Sequence, residues 1–331
     1  MNSKINRLLK ASTFKPRAIP LLALILLSKA TLLPTTVQGQ IFETNYDAGT
    51  IGEYTTTGGT VNANLVSNLN GPDAIALSGS DIYVANANAG TIGEYTTSGA
   101  AVNSSFVAFE AGLLDPEGGI AVSGSDLFFT NFEFGTISEY TTSGAVVNSA
   151  LVSGLHYPLG LAISGSNLFV VNQGPSGSPY VNDGSIGEYT LGPTPGSVIS
   201  SIASLVSGLV TPQHLAVSGP DLFVTYGNGY AGFGDVGEYT TSGAIVNASL
   251  VSGLDDPAGI ASSSSDLFVA NTANRIGEYT TSGATINASL VSGLYDDPQD
   301  VAVVVPEPAT PSLIGMASLG LLARRRRGNT R

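Results

Sequence analysis

The 331-residue chain has no cysteine and no tryptophan. Without thiols there is no disulfide and no thiolate-bound metal, so a fold outside the cytoplasm rests on packing alone. Basic residues are almost missing from the middle. Of the twelve Lys and Arg, six precede residue 30, five follow residue 323, and Arg275 alone lies between. That same middle holds 24 of the 25 Asp and Glu. Such a surface repels phosphate backbones, which excludes nucleic acid as a partner and favours divalent cations or basic groups. Long apolar runs are confined to the ends, AIPLLALILL at 18–27 and the stretch from Ser312 to Ala323.

What the chain does have is glycine, 41 residues of it among many Ser, Thr and Asn, a composition of short strands and tight turns. One phrase recurs six times: GTIGEYTTTGG from Gly49, GTIGEYTTSGA from Gly90, GTISEYTTSGA from Gly135, GSIGEYTLGPT from Gly184, GDVGEYTTSGA from Gly234 and NRIGEYTTSGA from Asn274. Its glutamates, Glu53, Glu94, Glu139, Glu188, Glu238 and Glu278, are spaced by 41, 45, 49, 50 and 40 residues. A period near forty marks a propeller or a solenoid array.

The unit at 257–294 parses into four strands, GIAS, DLFVAN, RIGEYTT and TINASLVSG. DLFVAN is apolar on both pleat faces, as a strand covered on both sides must be. Complete units begin at Pro72, Pro116, Pro158, Pro212 and Pro257. The chain opens with strands two to four only and ends with a lone first strand, PQDVAVVV from Pro298. Three strands plus one make a sixth blade. The expectation is an all-β, six-bladed β-propeller over residues 40–305, with four-stranded blades and a 3+1 circular closure that leaves no open edge. The pattern P-x-G-I-A-V, D-L-F-V-x-N, R-I-G-E-Y resembles the NHL repeat and the related YVTN repeat. That resemblance implies architecture, because the repeats serve protein binding, ligand binding and some enzymes alike.

Both ends read as addresses. Lys4, Arg7, Lys10, Lys15 and Arg17 precede the apolar run, and Val37 and Gly39 suit cleavage before Gln40, so residues 1–39 are expected to be a signal peptide. The other end, VPEPATPSLIGMASLGLLARRRR at 305–327, resembles the PEP-CTERM sorting signal. The resemblance implies a tail at 306–331 in which Pro306, Glu307 and Pro308 are recognised by an exosortase-type enzyme. It further implies a transmembrane helix that holds the precursor at the inner membrane, with Arg324, Arg325, Arg326 and Arg327 kept cytoplasmic. The destination it implies is the cell envelope or exterior of a Gram-negative, exopolysaccharide-producing bacterium. Basic residues past an apolar span are retained inside. The proline-free span of twelve residues reaches only about 18 Å of the ~30 Å hydrocarbon core, which makes it a marginal anchor.

The repeated Glu-Tyr pair reads as scaffold, a core tyrosine beside a solvated carboxylate. Function is sought on the loops between strands two and three and between blades, because the turns SGSD and TSGA on the other face are monotonous. The variable loops carry Asp73, Glu117, Asp256, Asp297, His156, His214, Tyr180, Tyr226, Tyr230 and Phe233, the candidate binding face. Asn45, Asn86, Asn131, Asn172 and Asn271 end the second strands, either capping turns or approaching a central mouth. Nothing in the sequence spells a catalytic set. The favoured reading is an exported, non-catalytic binding module for a surface polymer such as exopolysaccharide, or for a surface protein. A metal-dependent lactonase-like hydrolase and a structural matrix protein are the alternatives. The sequence specifies no cofactor with certainty; the oxygen-rich face suits Ca²⁺.

Overall fold

The computed structural model describes residues 38–108, 116, 118–175, 181–227, 233–294 and 298–305. Among them lie six antiparallel sheets of four strands each. Their inner strands touch neighbour to neighbour all the way round, which makes the sheets the blades of a closed ring. In blade 1 the inner strand Pro298–Val304 pairs with Gln40–Asn45, which leads on to Thr50–Thr55 and Thr60–Ser67. The closing register runs Gln40↔Val304, Ile41↔Val303, Phe42↔Ala302 and Glu43↔Val301. The 3+1 clasp expected from the strand count is the observed one.

The other blades are numbered 2 to 6 in chain order from their inner strands at Pro72, Ile120, Pro158, Pro212 and Pro257. The second strand of each blade shows why both its faces are apolar. In Asp221–Gly227 of blade 5, Leu222 and Val224 pack toward blade 4, while Phe223 packs toward blade 6. Six such clusters fill the six seams, one per pair of neighbouring blades. The core is therefore divided into seams around the axis.

The IGEY phrase is a packing device. Its isoleucine or valine is fully buried, and its tyrosine ring lies across the glycine two residues earlier. A Cβ on Gly93 would stand 2.7 Å from the Tyr95 ring. Five blades use glycine there; in blade 3 Ser138 takes the place and donates to the Ser149 carbonyl at 2.8 Å. The glutamates depart from the expected solvated state. Glu53 and Glu139 are only 6% and 3% exposed. Burial raises the carboxyls of Glu94, Glu139, Glu238 and Glu278 above their usual range.

At the axis the inner strands converge too closely for side chains at some positions. A Cβ on Gly160 would lie 2.5 Å from the His214 Cα, and one on Gly259 would lie 2.4 Å from the Asp300 Cα. Where the chain enters the inner strands that begin at Pro158, Pro212 and Pro257, Tyr157, Thr211 and Asp256 hold left-handed φ angles of 50°, 39° and 46°. Their carbonyls accept the N–H groups of Gln173, Gly227 and Thr272, which ties the loops together across the tops of those three blades. Such strained turns are sustained only by firm surroundings.

Candidate functional site

The variable loops gather on one face of the ring, as strand order requires. Aromatic side chains form its exposed part. Phe134 is 47% exposed and Phe233 52%. The Phe132 and Tyr157 rings pack at 5.1 Å between the loops of blades 3 and 4. Tyr46 donates to Asn88 Oδ1 at 3.1 Å and joins the loops of blades 1 and 2. Of these aromatics only Phe233 belongs to the expected binding set.

Tyr226 behaves differently from expectation. It occupies the position held by asparagine in the other blades, lies over Gly237, and donates its hydroxyl to the Ala248 carbonyl. Half-buried, with its phenol raised by burial, it braces the blade. Tyr180, Tyr230, Glu117 and Asp297 lie outside the described residues, as do Pro306, Glu307, Pro308 and Arg324, Arg325, Arg326 and Arg327 of the tail.

Three acids of the face, Asp73, Asp235 and Asp255, are engaged by the chain itself. Asp73 Oδ2 accepts the Gly118 N–H at 2.6 Å, linking blades 2 and 3. Asp235 accepts Ser249 Oγ at 2.8 Å and the Gly253 N–H at 3.3 Å. Asp255 pairs with Arg275. Asp256 is exposed, in the strained residue before Pro257. Among the described residues no group of three or more His, Asp or Glu is arranged to hold a metal ion.

His156 is exposed in the loop between blades 3 and 4. His214 lies instead on the inner strand Pro212–Ser218, buried, with Nδ1 at 3.5 Å from Asp300 Oδ1 on the inner strand of blade 1. Gly259 of blade 6 stands between them and leaves room for the contact. Asp300 also accepts the Ile75 N–H at 3.1 Å and the Val301 N–H at 2.9 Å. Burial lowers His214 to about 4 and raises Asp300 well above the carboxylate range. Thr44 and Thr225 complete this axial network. Thr225 donates to the Ala258 carbonyl at 2.6 Å, while Thr44 Oγ1 accepts the Asp300 N–H at 3.0 Å.

Four of the strand-ending asparagines, Asn45, Asn86, Asn131 and Asn271, spend their amide donors within their own blade. Asn86 and Asn271 donate to carbonyls two residues back on their own strands, at 3.5 and 3.1 Å. Asn131 donates to Thr136 and Ser138.

Residues 304–327 match the PEP-CTERM protein-sorting motif. The PEP-CTERM motif joins directly onto the ring-closing strand, which ends at Val304. With the propeller it makes the chain an exported β-propeller, sorted to the envelope of a Gram-negative bacterium and processed by an exosortase-type system. No curated protein matches the sequence. Among solved structures, the fold is similar to a chain of a nidogen/laminin complex, with a TM-score of 0.63, 12% identity, and coverage of 82% of this chain and 100% of that one. It is also similar to a putative 6-phosphogluconolactonase from Bacteroides uniformis, with a TM-score of 0.54, 13% identity, and coverage of 81% and 99%. These likenesses establish the propeller fold alone.

Sequence reading missed Glu43, the His214–Asp300 contact, Phe132, Phe134 and Tyr157. Aligning the inner strands by their apolar runs puts His214 and Asp300 at one position, held elsewhere by Ala74, Gly119, Gly160 and Gly259. That was the available signal.

Proposed function

We propose that the propeller of the PEP-CTERM chain is a non-catalytic binding module whose variable face holds a surface polysaccharide. The observation that carries this reading is the division of labour on that face. Asp73, Asp235 and Asp255 are spent on structural hydrogen bonds or an ion pair, whereas Phe134 and Phe233 stand exposed. Exposed rings on firm loops stack on sugar faces, and hydroxyl-rich chains then need few charged contacts. The tail supports the same setting, since it directs the protein to an envelope where such polymers lie.

The test is titration of the purified protein with exopolysaccharide and a panel of neutral and acidic polysaccharides. Saturable binding is expected, weakened about tenfold by Phe134→Ala or Phe233→Ala, the loss of one stacking contact of roughly 1–1.5 kcal/mol. Absence of saturation across the panel sinks the reading. Metal-dependent turnover of a lactone panel replaces it with the hydrolase.

A further inference from the structure

The opposite face, built of the monotonous turns, contains a seam in which the chain recognises a piece of itself. In five blades the turn after the Glu-Tyr strand folds back on itself; Gly144 and Gly283, for example, donate to the carbonyls of Thr141 and Thr280 at 2.9 Å. Blade 4 has instead the longer turn Gly192-Pro193-Thr194-Pro195-Gly196-Ser197, which reaches across the seam to blade 3. There Gly196 is gripped twice. Its N–H donates to Glu139 Oε2 at 3.0 Å, and its carbonyl accepts Asn148 Nδ2 at 2.9 Å.

Glu139 and Asn148 face each other across the third and outer strands. Asn148 Oδ1 accepts the Ala150 N–H at 3.0 Å, which fixes the amide with its donor turned outward. Blade 5 repeats this arrangement: Glu238 faces Asn247, whose Oδ1 accepts the Ser249 N–H at 3.1 Å. Asp221 and Phe223 stand where Asp126 and Phe128 stand beside the gripped turn. At the seam of blades 5 and 6 these residues line an open cavity of about 860 Å³, together with Leu250 and Thr281. Gly283 of blade 6 is held within its own turn. Glu238 and Asn247 Nδ2 thus have no hydrogen-bond partner among the described residues.

We propose that this cavity is a peptide-binding site, taking a proline-flanked glycine turn from a partner polypeptide in the way blade 3 takes Gly196. The geometry selects a peptide over an N-acetylated sugar. Glu139 and Asn148 hold the N–H and the C=O of one residue, on either side of its Cα. A single trans amide, such as an acetamido group, points its N–H and C=O in opposite directions. Gly196 offers both groups to the one Glu–Asn pair, and it does so with a left-handed φ of +79°, a conformation that glycine adopts at no steric cost. The carboxylate supplies the stronger half of the grip, a charge-assisted bond to N–H.

The test uses the full-length protein and a fluorescently labelled cyclic peptide containing Gly-Pro-Thr-Pro-Gly-Ser, followed by anisotropy. Saturable binding is expected, weakened about tenfold by Glu238→Gln and by Asn247→Ala. Changing the second glycine of the peptide to alanine should abolish it. Glu188→Gln is the control, since Glu188 faces Ile202 rather than an asparagine, and should leave binding unchanged. Unfolding midpoints of the variants separate lost binding from lost fold. No saturation, binding indifferent to both blade 5 substitutions, or equal competition by N-acetylglucosamine oligomers each overturns the proposal.

Discussion

Glu43 occupies a position that holds Val84, Phe129, Val170, Val224 and Val269 in the other blades. It is fully buried between blades 6 and 1, accepts Asn45 Nδ2 at 3.0 Å, and leaves Oε1 without a partner among the described residues. Burial raises its carboxyl to about 8. The unfolded chain therefore releases this proton near pH 4.5 while the folded chain keeps it to about pH 8, so stability falls as pH rises through that window. Below the window both states are protonated, and above it both are ionised. Glu43→Val is expected to raise stability at pH 7 by about 1–3 kcal/mol, the cost of a buried unpaired polar group. It should also flatten the decline between pH 5 and pH 8, read from urea midpoints. Parallel pH profiles for the two proteins would refute the assignment. The exception was visible in the frame of the second strands. Its burial was not, because that depends on blade 6, whose residues lie more than 200 positions away.

At the scale of the strand, the third residue of each inner strand shows what the ring tolerates. A Gly160→Ala methyl would meet the backbone of His214, which cannot rotate aside. About 1–3 kcal/mol of destabilisation is expected from the forced displacement, seen as a lower thermal midpoint. On the other side of the same axis, Asp300→Asn would turn an amide donor toward one of two backbone N–H groups, from Ile75 or Val301. A loss of about 1–3 kcal/mol follows from the buried donor left unsatisfied. An unchanged midpoint in either variant would mean that the inner strands yield more than their spacing suggests. Period and strand order were legible here because they are written in every unit. The uses of Asp73 and Tyr226 were not. Asp73 serves Gly118 in the next blade, 45 residues on, and Tyr226 is the one second-strand end that lacks the repeating asparagine.

For the whole molecule, closure is the decisive feature. Gln40 and Val304 sit opposite each other on adjacent strands of blade 1. A circular permutant that joins them by a short turn and begins at Pro72 should retain the fold and a single unfolding transition. Ending the chain before Pro298 strips blade 1 of its inner strand and exposes the edge of Gln40–Asn45. That truncation should lose cooperative unfolding and aggregate. If both chains melted alike, the ring would owe little to its clasp. The 3+1 count could be read without a structure because an incomplete unit at each end has only one economical completion.

The sorting motif begins at the residue where the clasp ends. Any pull on the tail therefore enters the propeller through Val304 and runs along the closing strand. With a polymer held at the far face, that strand would be drawn lengthwise past Gln40–Asn45, and the rungs of the ladder would be strained together instead of one after another. The seam that completes the ring is thus also the joint that bears tension, and a mechanical load meets its full set of hydrogen bonds at once.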